Sequence, residues 1–157
     1  MLNAQGYQYL EFDSQNRAVR RLKDVRVDLS AVAKGYGVDV ICQLLAEQGY
    51  RNYLVEIGGE LRVAGLSPRA TAWRIGIERP SLAQGQVKQA IELNDVAVAT
   101  SGDYRNYFEK EGVRYSHTLD PRTGYPVKHD LTSVTVVANS SAEADACLLY
   151  TSDAADD

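Results

Sequence analysis

Asn52-Tyr53-Leu54-Val55-Glu56-Ile57-Gly58-Gly59-Glu60-Leu61 is the stretch that decides the fold. Tyr53 to Ile57 is apolar enough for a central strand, and Gly58-Gly59 turns the chain directly into a second strand over 60–66. Two strands joined by a glycine turn form a hairpin, not half of a βαβ unit. Upstream, Val32, Val38, Ile41, Leu44 and Leu45 recur at helical spacing, which predicts a helix from Ala31 to Gln48 closed by Gly49. Ser30 is its N-cap candidate, at the end of a short strand from Val25 to Leu29. Earlier still, Tyr7 to Asp13 alternates, Ser14-Gln15-Asn16 turns, and Ala18 to Leu22 returns as a hairpin.

Downstream, Ala72 to Glu78 places Trp73, Ile75 and Ile77 on one side of a strand. Val87 to Leu93 and Val96 to Thr100 are further strands, split by Asn94-Asp95. A short helix is predicted at Asp103 to Tyr107, then a hairpin turning at Glu111-Gly112. A β-branched strand from Thr132 to Ala138 and a helix starting at Ser141 complete the order. Many strands, few helices and no regular βαβ alternation make an α+β protein with mixed or antiparallel sheets and few packed helices. No repeat, low-complexity tract or linker interrupts it.

The 157 residues, 45% hydrophobic and 24% charged, suit one globular domain with its own core. A net charge of −4 argues against a nucleic-acid surface, which calls for a basic patch. No apolar run approaches the roughly 18 residues of a membrane helix. Cys42 and Cys147 are too few and too far apart for a metal knuckle, and Cys42 falls on the helix stripe as a buried free thiol.

The chemistry is densest in Tyr115-Ser116-His117-Thr118-Leu119-Asp120-Pro121-Arg122-Thr123-Gly124-Tyr125-Pro126. An imidazole that titrates near neutrality precedes a carboxylate, and the Asp-Pro and Thr-Gly pairs fix the backbone as a rigid turn. Taken alone, His117 reads as a decorated hairpin turn. Taken with the rest, the segment has the character of an active-site loop.

Four segments in order resemble the ApbE family, flavin transferases that move the FMN half of FAD onto a threonine of another protein. Asp28-Leu29-Ser30-Ala31-Val32-Ala33-Lys34-Gly35-Tyr36-Gly37-Val38-Asp39 is similar to the family's Asp-Leu-x-x-x-Ala-Lys-Gly helix start, and Asn52 to Leu61 to its strand and diglycine turn. Ala99-Thr100-Ser101-Gly102-Asp103-Tyr104 is similar to its Ser-Gly-Asp/Asn segment, and the run at His117 to its His-x-x-Asp-Pro-x-Thr-Gly signature. The resemblance covers residues 6–147 and implies the C-terminal half of a T-fold-related transferase domain, occupying 1–147 here. It places the N-terminal half, with an export signal and lipoprotein anchor, outside this chain. The expected location is the bacterial periplasm or cell envelope, with membrane contact through that anchor alone. Residues 148–157, small and acidic without helical periodicity, read as an atypical, non-native tail.

The same resemblance implies the site. Attack by a threonine hydroxyl on the FMN phosphorus of FAD needs a cation on the phosphate, a hard divalent metal and a base. Lys34 and Asp28 are expected to contact the flavin nucleotide, with Ser101, Gly102, Asp103 and Thr118 also cofactor-binding. Small Ala33 and Gly35 are expected to leave room for it. Mg²⁺ is expected on the Ala31 carbonyl and Asp145, while Leu149 stands where the family has a ligating threonine. His117 is the candidate general base; Asp120 either orients it or caps the turn. Glu56, Gly58 and Gly59 are expected to build the cleft's wall and turn. His129 is expected to be exposed and without a role. Read without the family, Lys34 is a solvated helix charge and Asp145 a helix-surface acid. The acceptors implied are flavin-bearing subunits of respiratory electron-transport complexes. A relative that binds or hydrolyses FAD without transferring flavin is the alternative.

Overall fold

The computed structural model describes residues 6–78, 87–102, 107–110, 113–116, 123–126 and 133–153. After a 3-10 turn at Tyr7–Tyr9, β1 (Leu10–Asp13) and β2 (Ala18–Arg21) form the expected first hairpin. Helix α1 (Ala33–Glu47) leads into β3 (Tyr53–Ile57) and β4 (Glu60–Ala64). Then follow β5 (Trp73–Glu78), β6 (Val87–Leu93) and β7 (Ala97–Gly102). A second small hairpin, β8 (Tyr107–Lys110) and β9 (Val113–Ser116), precedes β10 (Ser133–Ala138) and helix α2 (Ser141–Asp153). The helix expected at Asp103 to Tyr107 lies outside the described residues except for Tyr107, which opens β8. The backbone of α2 stays helical through Thr151, Ser152 and Asp153.

The central sheet has the order β10-β7-β4-β3 with antiparallel ladders throughout. Alternation along each strand sorts its residues between two faces. On one face, α1 sets Val38 and Cys42 against Val55, with Leu45, Tyr53 and Ile57 around them. Beside it, α2 packs Ala144 and Leu148 on Ala99, Val134, Val136 and Ala138. On the other face, the β5–β6 hairpin lays Trp73, Ile75 and Ile91 over Leu61, Val63, Leu93 and Val98. The Trp73 indole N–H, which would otherwise be left unpaired in that layer, donates to the Ala64 carbonyl at 3.0 Å. The result is three layers: helices, sheet, hairpin. Cys42 is the expected buried free thiol, and burial pushes its ionisation upward.

Helices α1 and α2 cap each other. Asp39, in the middle of α1, accepts the N–H groups of Ser141 at 3.0 Å and Ala142 at 2.9 Å at the start of α2. In return Asp145, on α2, accepts the Gly35 N–H at 2.9 Å at the start of α1. Each carboxylate satisfies orphan donors of the other helix and complements its dipole. This reciprocity demands that the helices touch at their N-terminal ends. They do so at Gly35, where an added Cβ would lie 2.2 Å from the Ser141 carbonyl oxygen.

Two local expectations are corrected. Val25 to Leu29 forms no strand; Val25 is buried, but Val27 and Leu29 are exposed and the segment is extended without a ladder. Ser30 does not cap α1. Its N–H and hydroxyl both donate backward to Asp28 Oδ1, and Val32 holds the cap position with no side-chain bond. The Asp28 turn thus takes the donors that a strand or cap would have used.

Candidate active site

The Asp28 turn is the first part of the site. The Ser30 hydroxyl and N–H hold the exposed Asp28 carboxyl below the usual carboxylate range, so it stays ionised. Half-buried Ala31 sits in the turn that follows. Lys34 is in the first turn of α1, and its Nζ donates to Glu60 Oε1 at 2.7 Å. The lysine side chain is 46% exposed, whereas that of Glu60 is 2% exposed.

Glu60 reaches this position because the diglycine turn is tight. Gly58 and Gly59 have φ of +61° and +104°, values that side chains strain to adopt. A Cβ on Gly58 would meet Lys34 Cδ at 3.4 Å and Glu60 Oε2 at 3.9 Å. The strand that leaves the turn puts Glu60 on the helix face, beneath Lys34. Its Oε2 is buried with no hydrogen-bond partner. Burial pushes the Glu60 carboxyl above the ordinary range; Lys34 pulls it back, and the charge of Asp145 pushes it up again.

Asp145 is 5% exposed, with one oxygen committed to Gly35. Gly35 is itself buried against α2, so its small size serves helix contact; the expectation that it clears space for a ligand is corrected. Ser101 and Gly102 end β7, paired with Val134 and Ser133 of β10. By alternation Ser101 shares the helix face with Ala99, while a Cβ added to Gly59 would lie 4.0 Å from the Thr100 carbonyl oxygen. The structure therefore gathers Asp28, Ala31, Lys34, Asp145 and the end of β7 around the start of α1 and the diglycine turn. Asp103, His117, Thr118, Asp120 and His129 lie outside the described residues. Of the signature run, Thr123 to Tyr125 is an exposed turn in which the Tyr125 N–H donates to Thr123 Oγ1 at 3.3 Å.

The donor chemistry fits a hard divalent cation. The Ala31 carbonyl and the Asp145 carboxylate offer oxygens, and the orphaned Glu60 Oε2 beside Asp145 marks unbalanced negative charge. Among the described residues no three His, Cys, Asp or Glu side chains could hold a metal by themselves, so carbonyl, substrate and solvent oxygens must complete such a site. Two residues of this region went unread in the sequence. In the sequence Glu60 reads only as the start of a strand, and Asp39 has no role of its own. A carboxylate following directly on a diglycine turn was the available signal for Glu60; Asp39 gave none.

Comparison with known proteins returns the same α+β fold. The ApbE family profile matches residues 1–148, and the chain belongs to that family. A FAD:protein FMN transferase of Vibrio cholerae serotype O1 is 50% identical over 140 residues, 89% of this chain and 42% of that protein. The solved flavin transferase ApbE from Vibrio cholerae superposes with a TM-score of 0.81 at 43% identity, over 94% of this chain and 46% of its own. The apo flavinyl transferase ApbE of Pseudomonas stutzeri gives 0.80 at 42% identity, over 94% and 45%. The chain thus spans less than half the length of these relatives.

Proposed function

We propose that the protein is part of an FAD:protein FMN transferase. It would move the FMN moiety of FAD onto a threonine hydroxyl of an acceptor protein, with AMP leaving. The observation that carries this reading is the Lys34 ammonium, held at 2.7 Å by a buried carboxylate while nearly half its side chain stays open. That is a fixed cation at a helix start, suited to a phosphate. Kinship with transferases at up to 50% identity supplies the ligand class.

In this reading Lys34 contacts the flavin nucleotide, and Asp28 with Ser101, Gly102, Asp103 and Thr118 orients it. The Ala31 carbonyl and Asp145 would hold Mg²⁺, which supplies charge neutralisation on the phosphates. His117 takes the proton from the threonine hydroxyl as its oxygen bonds to the FMN phosphorus and the pyrophosphate P–O bond breaks. The acceptors are flavin-bearing subunits of respiratory electron-transport complexes at the bacterial periplasm or cell envelope, with the enzyme lipoprotein-anchored there. Incubating a purified protein that contains this chain with FAD, Mg²⁺ and an acceptor domain should give flavin fluorescence on the acceptor in a denaturing gel. His117→Ala should lower that signal by about 10²-fold while FAD binding stays near unchanged. Free FMN and AMP without labelled acceptor would replace transfer with FAD hydrolysis.

A further inference from the structure

The Lys34–Glu60 pair is poorly explained as a stabilising ion pair. Buried pairs seldom repay the removal of their charges from water. Here Glu60 also buries Oε2 without a partner, a second cost to the fold. Lys34 adds a third, since a cation in the first turn of α1 opposes the positive end of the helix dipole. The arrangement leaves one group accessible. The ammonium spends one N–H on Glu60 and keeps its remaining donors on a side chain open to solvent. The Gly58 turn passes beside both groups without a side chain to cover them.

We propose that Glu60 is a positioning residue for Lys34: it fixes the ammonium beneath the diglycine turn so that its remaining N–H donors meet the phosphate of a bound nucleotide. Identifying the nucleotide as FAD rests on the function proposed above; the positioning itself does not. A free lysine would have to surrender the rotamer freedom of its long side chain when the anion binds, whereas a tethered one has already done so. Glu60 touches no substrate and acts through Lys34 alone.

The test is a double-mutant cycle on the full chain, read by FAD titration. Glu60→Ala should weaken FAD binding by about 10-fold, the scale of one charge-assisted hydrogen bond. Glu60→Gln, which keeps an acceptor oxygen for Lys34, should restore most of that loss. In a Lys34→Ala background, Glu60→Ala should change FAD affinity by less than about 2-fold, because nothing is left to position. An equal loss in both backgrounds would assign Glu60 to the fold and overturn the proposal, as would no loss in either. The second arm is independent of flavin: the ¹H–¹⁵N signal of the Lys34 ammonium by NMR. It should be visible in the unsubstituted protein and in Glu60→Gln, and broadened by solvent exchange in Glu60→Ala. A visible ammonium in a protein that does not bind FAD sinks the flavin reading and keeps the positioning role. An ammonium exchanging freely in the unsubstituted protein sinks the positioning role. If Glu60→Ala does not fold, Glu60→Gln and the unsubstituted protein still decide the matter through this signal.

Discussion

Leu61 and Val63 of β4 face the β5–β6 hairpin, while Glu60 and Arg62 of the same strand face the helices. The first pair packs among apolar side chains. The second makes ion pairs with Lys34 at 2.7 Å and Asp39 at 2.9 Å. Period-two alternation lets a single strand of five residues serve both layers. The difference teaches where each kind of cost is tolerated. The hairpin layer holds the sheet mainly by exclusion of water, with the Trp73–Ala64 hydrogen bond beside it, and the helix layer spends some of that stability on ordered charges.

The sharpest way to break this contrast is to put a carboxylate on the wrong face. Val63→Asp would bury an acid where Trp73, Ile75 and Leu93 offer no cation. It should cost roughly 4 kcal/mol or more, seen as loss of the cooperative urea transition. A folded Val63→Asp protein with an unchanged midpoint would mean that the hairpin layer is wet, and the contrast false.

On the helix face the next largest effect should come from Asp39. Its two oxygens serve Arg62 and two α2 N–H groups. Asp39→Ala should destabilise by about 2–3 kcal/mol, the sum of a lost cap and a lost charged bond. Amide exchange at Ser141 and Ala142 should speed up more than at Val98. Uniform acceleration across both layers would show that Asp39 is no local cap.

These residues also mark how far the sequence could be read. The β3–β4 hairpin, the span of α1 and the β5 face carrying Trp73 and Ile75 follow from local periodicity and a glycine turn, and all appear in the structure. The extended run at Val25 to Leu29 was lost because its apolar residues find no partner strand, and Asp28 imposes its own turn. Asp39 caps a helix 102 residues away, a relation that no local pattern carries. Lys34, Asp28, Ala31 and Asp145 were named through a family likeness, whereas Glu60 emerges only when sheet parity and the α1 crossing are combined. The small size of Gly35 was legible, but its reason, contact with Ser141, was not.

Glu60 offers a subtler probe through pH. Its carboxyl titrates above the 4.5 of an unperturbed glutamate, mainly because it is buried. A raised folded-state value means that the folded chain holds this proton longer than the unfolded one. Its contribution is therefore complete below about pH 4.5 and lost as pH rises through the folded value. Glu60→Gln removes that titration, so its Tm relative to the unsubstituted protein should climb as pH rises above 4.5 through the raised folded value. A constant difference across that range would mean that Lys34 fully compensates the burial.

The smallest effect is expected at an ion pair on the solvent-exposed face of the β5–β6 hairpin. Arg74 and Glu92 stand directly opposite on β5 and β6, at 4.0 Å, with side chains 67% and 72% exposed. Coulomb attraction there acts through water, and holding two long side chains together consumes most of it. Arg74→Ala should shift stability by no more than about 0.5 kcal/mol, and added salt should erase even that. Urea midpoints at low and high salt measure it. A loss as large as that of Asp39→Ala, persisting in salt, would mean that exposure does not govern the strength of charge pairs here, and the contrast between the faces of β4 would lose its physical basis.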